Sequence, residues 1–358
     1  MTTRASTRSL AVAIFLGAGF GAAQMGLGYG LGAIAWVTPG AAIGAATNEA
    51  AWVASLAWAT WAAATSVVAG AVCAEWFSGI DGGVWNRIGW RAVIALAAAL
   101  GALVTVPLVA VPARAAQLST NFAPHLLAGV YATTGVVIGL IAAIAAFTSR
   151  ALATNVLASM VWLWLLAMIA VGEAVSAGRT VTFAQLGVWR LSDGGPTWRG
   201  FAVPSTLVML GAAFVIGALV AWRASRRGGN RVGMAISGAF GPLLVAGAYF
   251  LVTPAFGQAP AEQVSAYLSA PYAIIAGLAG SVLTTALVGF RRARATDQPE
   301  PADAAGLLAA PRGYPAAATS VPLPAAARLG LGQRPGAVTG KASVPAASRA
   351  YPEPGRPL

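Results

Sequence analysis

The sequence predicts an all-α, polytopic transmembrane helical bundle of about eight spans, with both termini in the cytoplasm. Three observations carry that expectation. Hydrophobic residues make up 58% of the 358 residues and charged ones 9%, with a mean hydropathy of +0.73. A soluble domain carries roughly 25% charge and needs it to cover its surface. The apolar residues arrive in blocks whose length suits a hydrocarbon layer about 30 Å thick, crossed at 1.5 Å per helical residue. Arginines, finally, gather at alternate block ends. Continuous blocks read as helices, since the strands of a membrane barrel would alternate polar and apolar side chains.

In chain order, a short basic lead, residues 1–9 with Arg4 and Arg8, precedes a membrane domain spanning residues 10–290. Block one runs from Leu10 to Val37, longer than the apolar core of a signal peptide. Block two is Ala50 to Ala74, and block three Ala92 to Val111, with Pro107 inside. Block four is Leu126 to Phe147 and block five Ala151 to Val175. Blocks six, seven and eight are Phe201 to Trp222, Val232 to Val252, and Pro271 to Phe290. Residues 291–358 read as a disordered cytoplasmic tail: from Ala293 onward they hold eleven of the 21 prolines and no Ile, Phe or Trp. Such a stretch cannot bury enough apolar area to offset its ordering entropy.

Charge sets the orientation. With the N-terminus inside, twelve arginines fall in cytoplasmic segments (Arg4, Arg8, Arg87, Arg91, Arg150, Arg223, Arg226, Arg227, Arg231, Arg291, Arg292, Arg294) and four in external ones (Arg114, Arg179, Arg190, Arg199). That asymmetry obeys the positive-inside rule and points to the cytoplasmic (inner) membrane. The preference for arginine over lysine, with abundant Ala and Gly, suggests a bacterial genome rich in G and C. Short matches, such as Thr7-Arg8-Ser9-Leu10-Ala11 with Ser149-Arg150-Ala151-Leu152-Ala153, raise a 4+4 parallel repeat.

The same composition removes several functional classes. Net charge is +12, but the arginines sit at block ends, where they set topology and meet lipid headgroups, so no nucleic-acid partner is expected. One cysteine (Cys73) and one histidine (His125) exclude an intramolecular disulfide and the multi-ligand metal sites. No phosphate-binding loop, nucleophile elbow or zinc-protease motif occurs. No catalytic residue, cofactor or metal is therefore assigned, and an enzyme is not expected.

What remains are substrate-path and helix-packing candidates. Glu173, in the apolar stretch from Ile169 to Val175, is the best ionisable candidate, with Glu49 and His125 at the outer ends of blocks two and four. Brought together, they would line an outward vestibule; taken singly, each can simply meet headgroups and water. Gln24 is the one strongly polar residue near the middle of block one. Around it Gly17/Gly21 and Gly28/Gly32 have the small-xxx-small spacing that lets helices approach closely. Trp58 and Trp61 share a face of block two with Thr65, and Trp162 and Trp164 lie deep in block five. They fit either an aromatic-lined cavity or a packed core in which each indole N–H finds a partner. Glu75, Asp81, Arg87 and Arg91 line the inner turn between blocks two and three.

Two functions stay open. One is a permease or channel-like conduit for a small or lipophilic solute, with a path through blocks one, two and five. The other is a non-transporting accessory or scaffold subunit that binds a protein partner through its helices or tail. In both, the lipid bilayer is the first partner.

Overall fold

Block two holds no charged residue between Glu49 and Glu75, but it carries Ser55, Thr60, Thr65 and Ser66 among small and aromatic residues. Hydroxyls and small residues favour helix–helix contact over exposure to lipid. The computed structural model describes residues 3–36, 45–78, 84–116, 122–178, 185–188, 197–198, 201–252 and 261–296. In it, helix α2 (Ala45–Ser78) is the central rod: 94% of its most apolar stretch is buried inside the protein. Around it stand α1 (Thr3–Gly30), α3 (Val84–Ala102), α4 (Thr105–Ala113), α5 (Pro124–Ala146), α6 (Arg150–Ser176) and α9 (Phe240–Val252). Helices α7 (Val203–Arg226) and α10 (Ala261–Thr296) pair with each other, and each is only 22% buried over its most apolar stretch. Among the described residues, eight helices are long and apolar enough to cross a membrane, counting α3–α4 and α8 (Arg231–Ile236) through α9 as one span each. The chain is a multi-pass helical membrane protein. Its outer surface agrees: Phe15, Ile141, Leu207, Phe250 and Phe290 are exposed, which hydrocarbon tolerates and water penalises.

Small residues set the spacing. In the pair α2–α5, Gly135 meets the Thr60 carbonyl and Gly139 meets Ala64. In α7–α10, Gly217 meets Gly277 and Gly280 meets the Phe214 carbonyl. In α1–α3, Gly17 lies on the Ala98 carbonyl and Gly101 on that of Ile14, while Gly70 of α2 closes on Gly17. Each is a backbone-to-backbone approach that any side chain would block. The second and fourth spans of each half thus form a glycine-mediated pair. The third span of each half also carries a proline break, a further feature common to the two halves.

Those breaks fall where proline chemistry places them. A proline cannot donate to the carbonyl four residues earlier, and its ring collides with that carbonyl. Pro107 becomes the third residue of α4, and the helix opens at Leu103 and Val104 between α3 and α4. Pro242 becomes the third residue of α9, preceded by the 3-10 turn Ser237–Ala239. Pro204 opens α7, whereas Pro271 is carried inside α10, which begins ten residues before the start predicted for block eight.

Block one is corrected too. Helix α1 stops at Gly30, and Gly32 takes a left-handed φ of 68°. Residues 31–36 fold back on the helix end: the Ile34 N–H donates to the Gly28 carbonyl (3.0 Å) and the Ala35 N–H to Ser55 Oγ (2.9 Å). Trp36 Nε1 donates to the Tyr29 hydroxyl (2.9 Å), which donates to the Leu108 carbonyl (2.8 Å). The stretch from Leu31 to Trp36 is apolar because it seals the end of the bundle, not because it crosses the membrane. Between α6 and α7, a two-residue antiparallel pair joins β1 (Thr197–Trp198) to β2 (Phe201–Ala202). The tail predicted over 291–358 lies outside the described residues from 297 onward. Asp81, Arg179, Arg190 and Arg199 lie outside them as well.

Candidate functional site

The sequence drew attention to Gln24, Trp58 and Trp61, and the fold brings all three together. Gln24 is 3% exposed and uses its whole amide. Its Nε2 donates to Ser66 Oγ (2.7 Å) and to the Ala62 carbonyl (3.1 Å). Its Oε1 accepts from Trp164 Nε1 (3.0 Å) and Thr65 Oγ1 (3.2 Å). The indoles of Trp58, Trp61 and Trp164 close over it, with Trp58 and Trp164 centroids 4.9 Å apart. Two donors and two acceptors are satisfied by four groups, so this is a filled polar knot joining α1, α2 and α6, with no vacancy for a solute.

The remaining candidates stay at the margins. Glu49 sits in the second turn of α2, His125 is the second residue of α5, and Glu173 is in the last turn of α6; all are half-buried. The register Gly135–Thr60 places His125 and Glu49 in one layer. His125 lines an open apolar groove between α4 and α5 with Val106, Ala110, Gly129 and Thr133. At the opposite end, Glu75 pairs with Arg91 (2.6 Å), and the Arg91 guanidinium lies 5.9 Å from the Phe147 ring. This pair pins α2, α3 and the end of α5 at exposed positions, where it contributes about 0–1 kcal/mol. Among the described residues no three His, Cys, Asp or Glu side chains could hold a metal ion. Of the glycines, Gly17 and Gly21 lie at helix contacts and Gly28 meets Ile34. Gly32 lies beyond the helix and is a turn residue, which corrects its expected packing role.

The second half is built differently. Its interior, between α6, α7, α9 and α10, holds buried polar groups without partners among the described residues: both amide atoms of Gln263 and Gln185, Thr206 Oγ1 and Asn155 Nδ2. These groups fall at successive depths. Thr206 is in the first turn of α7 and Gln263 in the first turn of α10. The contact of Ser269 Oγ with Met209 Sδ (3.5 Å) sets these two helices in parallel register. Gln185 belongs to a buried segment whose Leu186 carbonyl accepts from the Tyr249 hydroxyl (2.6 Å), tying it to the end of α9. Beside that segment lies a small, mostly apolar pocket of about 30 Å³, lined by Gly187, Met209, Trp162, Ser159, Pro242 and neighbours. It has room for one or two water molecules.

Deeper still, Asn155 Oδ1 accepts from the Gly241 N–H (2.8 Å), a donor exposed by the break before Pro242. Gly241 has no side chain because Ser159 occupies that space. The 3-10 turn carries Gly238 onto Gly277, where Ser281 Oγ accepts from the Gly238 N–H (3.3 Å) and donates to the Ala235 carbonyl (2.5 Å). A broken helix with side chains repairing its loose backbone groups, beside unpaired amides, is the kind of irregularity a membrane interior tolerates only where it lines a cavity. Asn155, Gln185, Thr206 and Gln263 carried no distinguishing signal in the sequence beyond being polar in or beside apolar blocks.

No protein-family model matches the chain, and neither does any curated protein or solved structure.

Proposed function

We propose that this protein is a permease or channel-like conduit for a small polar solute, and that the route runs through its second half, between α6, α7, α9 and α10. The observation that supports this most is the set of buried polar groups without partners among the described residues, the amides of Gln185 and Gln263, Thr206 Oγ1 and Asn155 Nδ2, on the elements that flank the proline-broken span. An unpaired amide in an apolar interior costs on the order of 1–3 kcal/mol. That cost is accounted for when water or solute reaches these groups for part of the time. The buried amide of the first half, Gln24, is by contrast bonded, and the Trp90 indole N–H is the buried group without a partner there among the described residues. The route therefore departs from a path through blocks one, two and five and keeps only block five, now α6. The setting we infer is a bacterial cytoplasmic membrane, with both termini inside as the arginine distribution demands.

Cysteine accessibility tests this without knowledge of the solute. In a Cys73→Ser background, Ser159→Cys and Thr206→Cys should react with a small water-soluble methanethiosulfonate. Thr60→Cys, buried in α2, should stay protected. If Ser159→Cys and Thr206→Cys are as inert as Thr60→Cys in native membranes, the conduit is wrong and a non-transporting accessory or scaffold subunit takes its place.

A further inference from the structure

We propose that Arg150, Arg223 and Arg227 form a binding pocket for a phosphate ester at the end of the bundle where α5 passes into α6 and α7 into α8. The pocket has a volume of about 250 Å³, suited to a headgroup or a small phosphorylated molecule and not to a large cofactor. It stands independently of the transport reading, because its residues and its test are separate.

Local sequence builds it. Helix α7 ends on Gly228, at a left-handed φ of 71°. The Gly228 N–H returns to the Ser225 carbonyl (3.2 Å), and the Gly229 N–H to the Ala224 carbonyl (3.1 Å). This closure is one only glycine adopts freely. It turns the chain back beside α7 and sets Arg227 and Asn230 next to Arg223. Asn230 caps α8 through its Oδ1, accepting from the Val232 N–H (3.1 Å), which leaves its amide nitrogen as a donor. Gly233 of α8 lies against Ser149, the cap of α6, so α8 is drawn up to the turn that carries Arg150. The floor is apolar: Ala151, Val220 and Met234 pack together.

Arg150 at the start of α6 and Arg223 and Arg227 at the end of α7 thus line one pocket, and no lining residue is acidic. Other arginines show what a partnered one looks like in this protein. Arg91 pairs with Glu75, and Arg226 stacks 3.9 Å above the Trp222 ring. Among the described residues, the side chains of Arg150, Arg223 and Arg227 have neither kind of partner. Three like charges held together repel unless an anion neutralises them, and a planar guanidinium fork matches phosphate oxygens two at a time. Thr154 and Asn230 add neutral hydrogen-bonding groups, and the N-terminus of the long helix α6 adds its positive dipole end. A lipid headgroup over the apolar floor and a free phosphate ester share this chemistry.

The test uses the full chain, purified in dodecyl maltoside, with thermal unfolding followed by tryptophan fluorescence. Titrants are phosphatidylglycerol, phosphatidylcholine and inorganic phosphate. Stabilisation by phosphatidylglycerol alone assigns the pocket to an anionic lipid, and stabilisation by inorganic phosphate as well assigns it to soluble phosphate esters. Apparent affinity should fall about fivefold per arginine replaced by glutamine in R150Q, R223Q and R227Q. A variant losing the same charge elsewhere (R226Q/R231Q/R294Q) should bind as the wild type does. R223K, which keeps the charge but not the fork, should fall in between and guards against loss by misfolding. The proposal is overturned if neither probe stabilises the wild type, if phosphatidylcholine does so equally, or if the distant triple variant loses as much affinity as R150Q/R223Q/R227Q.

Discussion

Gln24 illustrates what a single residue can and cannot announce. As the one strongly polar side chain near the middle of an apolar block, it is conspicuous in the sequence, and either a solute path or a buried bond network accounts for it. The deciding partner, Trp164, is 140 residues away, and no spacing rule reaches across separate helices. Because its four bonds are all made inside the protein, replacing Gln24 with leucine should cost stability and not selectivity. The Trp164 N–H would lose its acceptor, at about 1–3 kcal/mol, whereas the Thr65 hydroxyl keeps the Trp61 carbonyl (2.9 Å). The midpoint of an SDS unfolding titration should fall accordingly, with tryptophan emission reporting the loss around Trp58, Trp61 and Trp164. An unchanged midpoint would mean the network is not formed. By contrast, Thr206 and Gln263 looked ordinary in the sequence, because what distinguishes them is buried polar atoms without a partner among the described residues, a property of the assembled bundle.

At the scale of elements, prolines and glycines carried most of the readable information. Pro107 and Pro242 were recognisable as breakers, and the fold places a helix restart at each. The geometry of the restart, a helix beginning two residues before the proline, follows from the missing N–H being harmless in the first turn. Small-residue spacing was less decisive. Gly17 and Gly19 stand two apart in one glycine-rich helix, yet Gly17 meets a backbone carbonyl and Gly19 faces open space. A contrast of substitutions checks this. Gly277→Leu would force a side chain into the carbonyls of Gly238 and Ala213 and should abolish a monodisperse peak in size-exclusion chromatography. Gly19→Leu should elute as the wild type does. Equal behaviour of the two variants would refute the α7–α10 and 3-10 contacts. The folded-back segment from Leu31 to Trp36 was read as membrane span because hydropathy does not distinguish apolar residues that seal a bundle from those that cross a bilayer.

For the whole molecule, the testable quantity is the direction in which the bundle is threaded. Cys73 lies near the end of α2, half-buried and unbridged, close to the Glu75–Arg91 pair. If the arginine-rich ends face the cytoplasm, an impermeant maleimide should label Cys73 in inside-out vesicles and leave it unlabelled in intact cells. Labelling from outside would reverse the orientation and move the three-arginine pocket to the other face.

Composition and block length alone determined that the chain is a helical membrane protein with eight spans, and charge asymmetry alone carries the expectation of its orientation. The span count depends on transfer between water and hydrocarbon, which sums over residues and needs no knowledge of neighbours. Only the tertiary structure decided that α2 is the central rod, that Gln24 belongs to a bond network, and that the amides of Gln185 and Gln263 and the arginine pocket belong to the second half. Partnership between side chains is set by which helices meet and in what register. In a chain where most positions are Ala, Gly, Leu or Val, many registers look alike until the backbones are packed together.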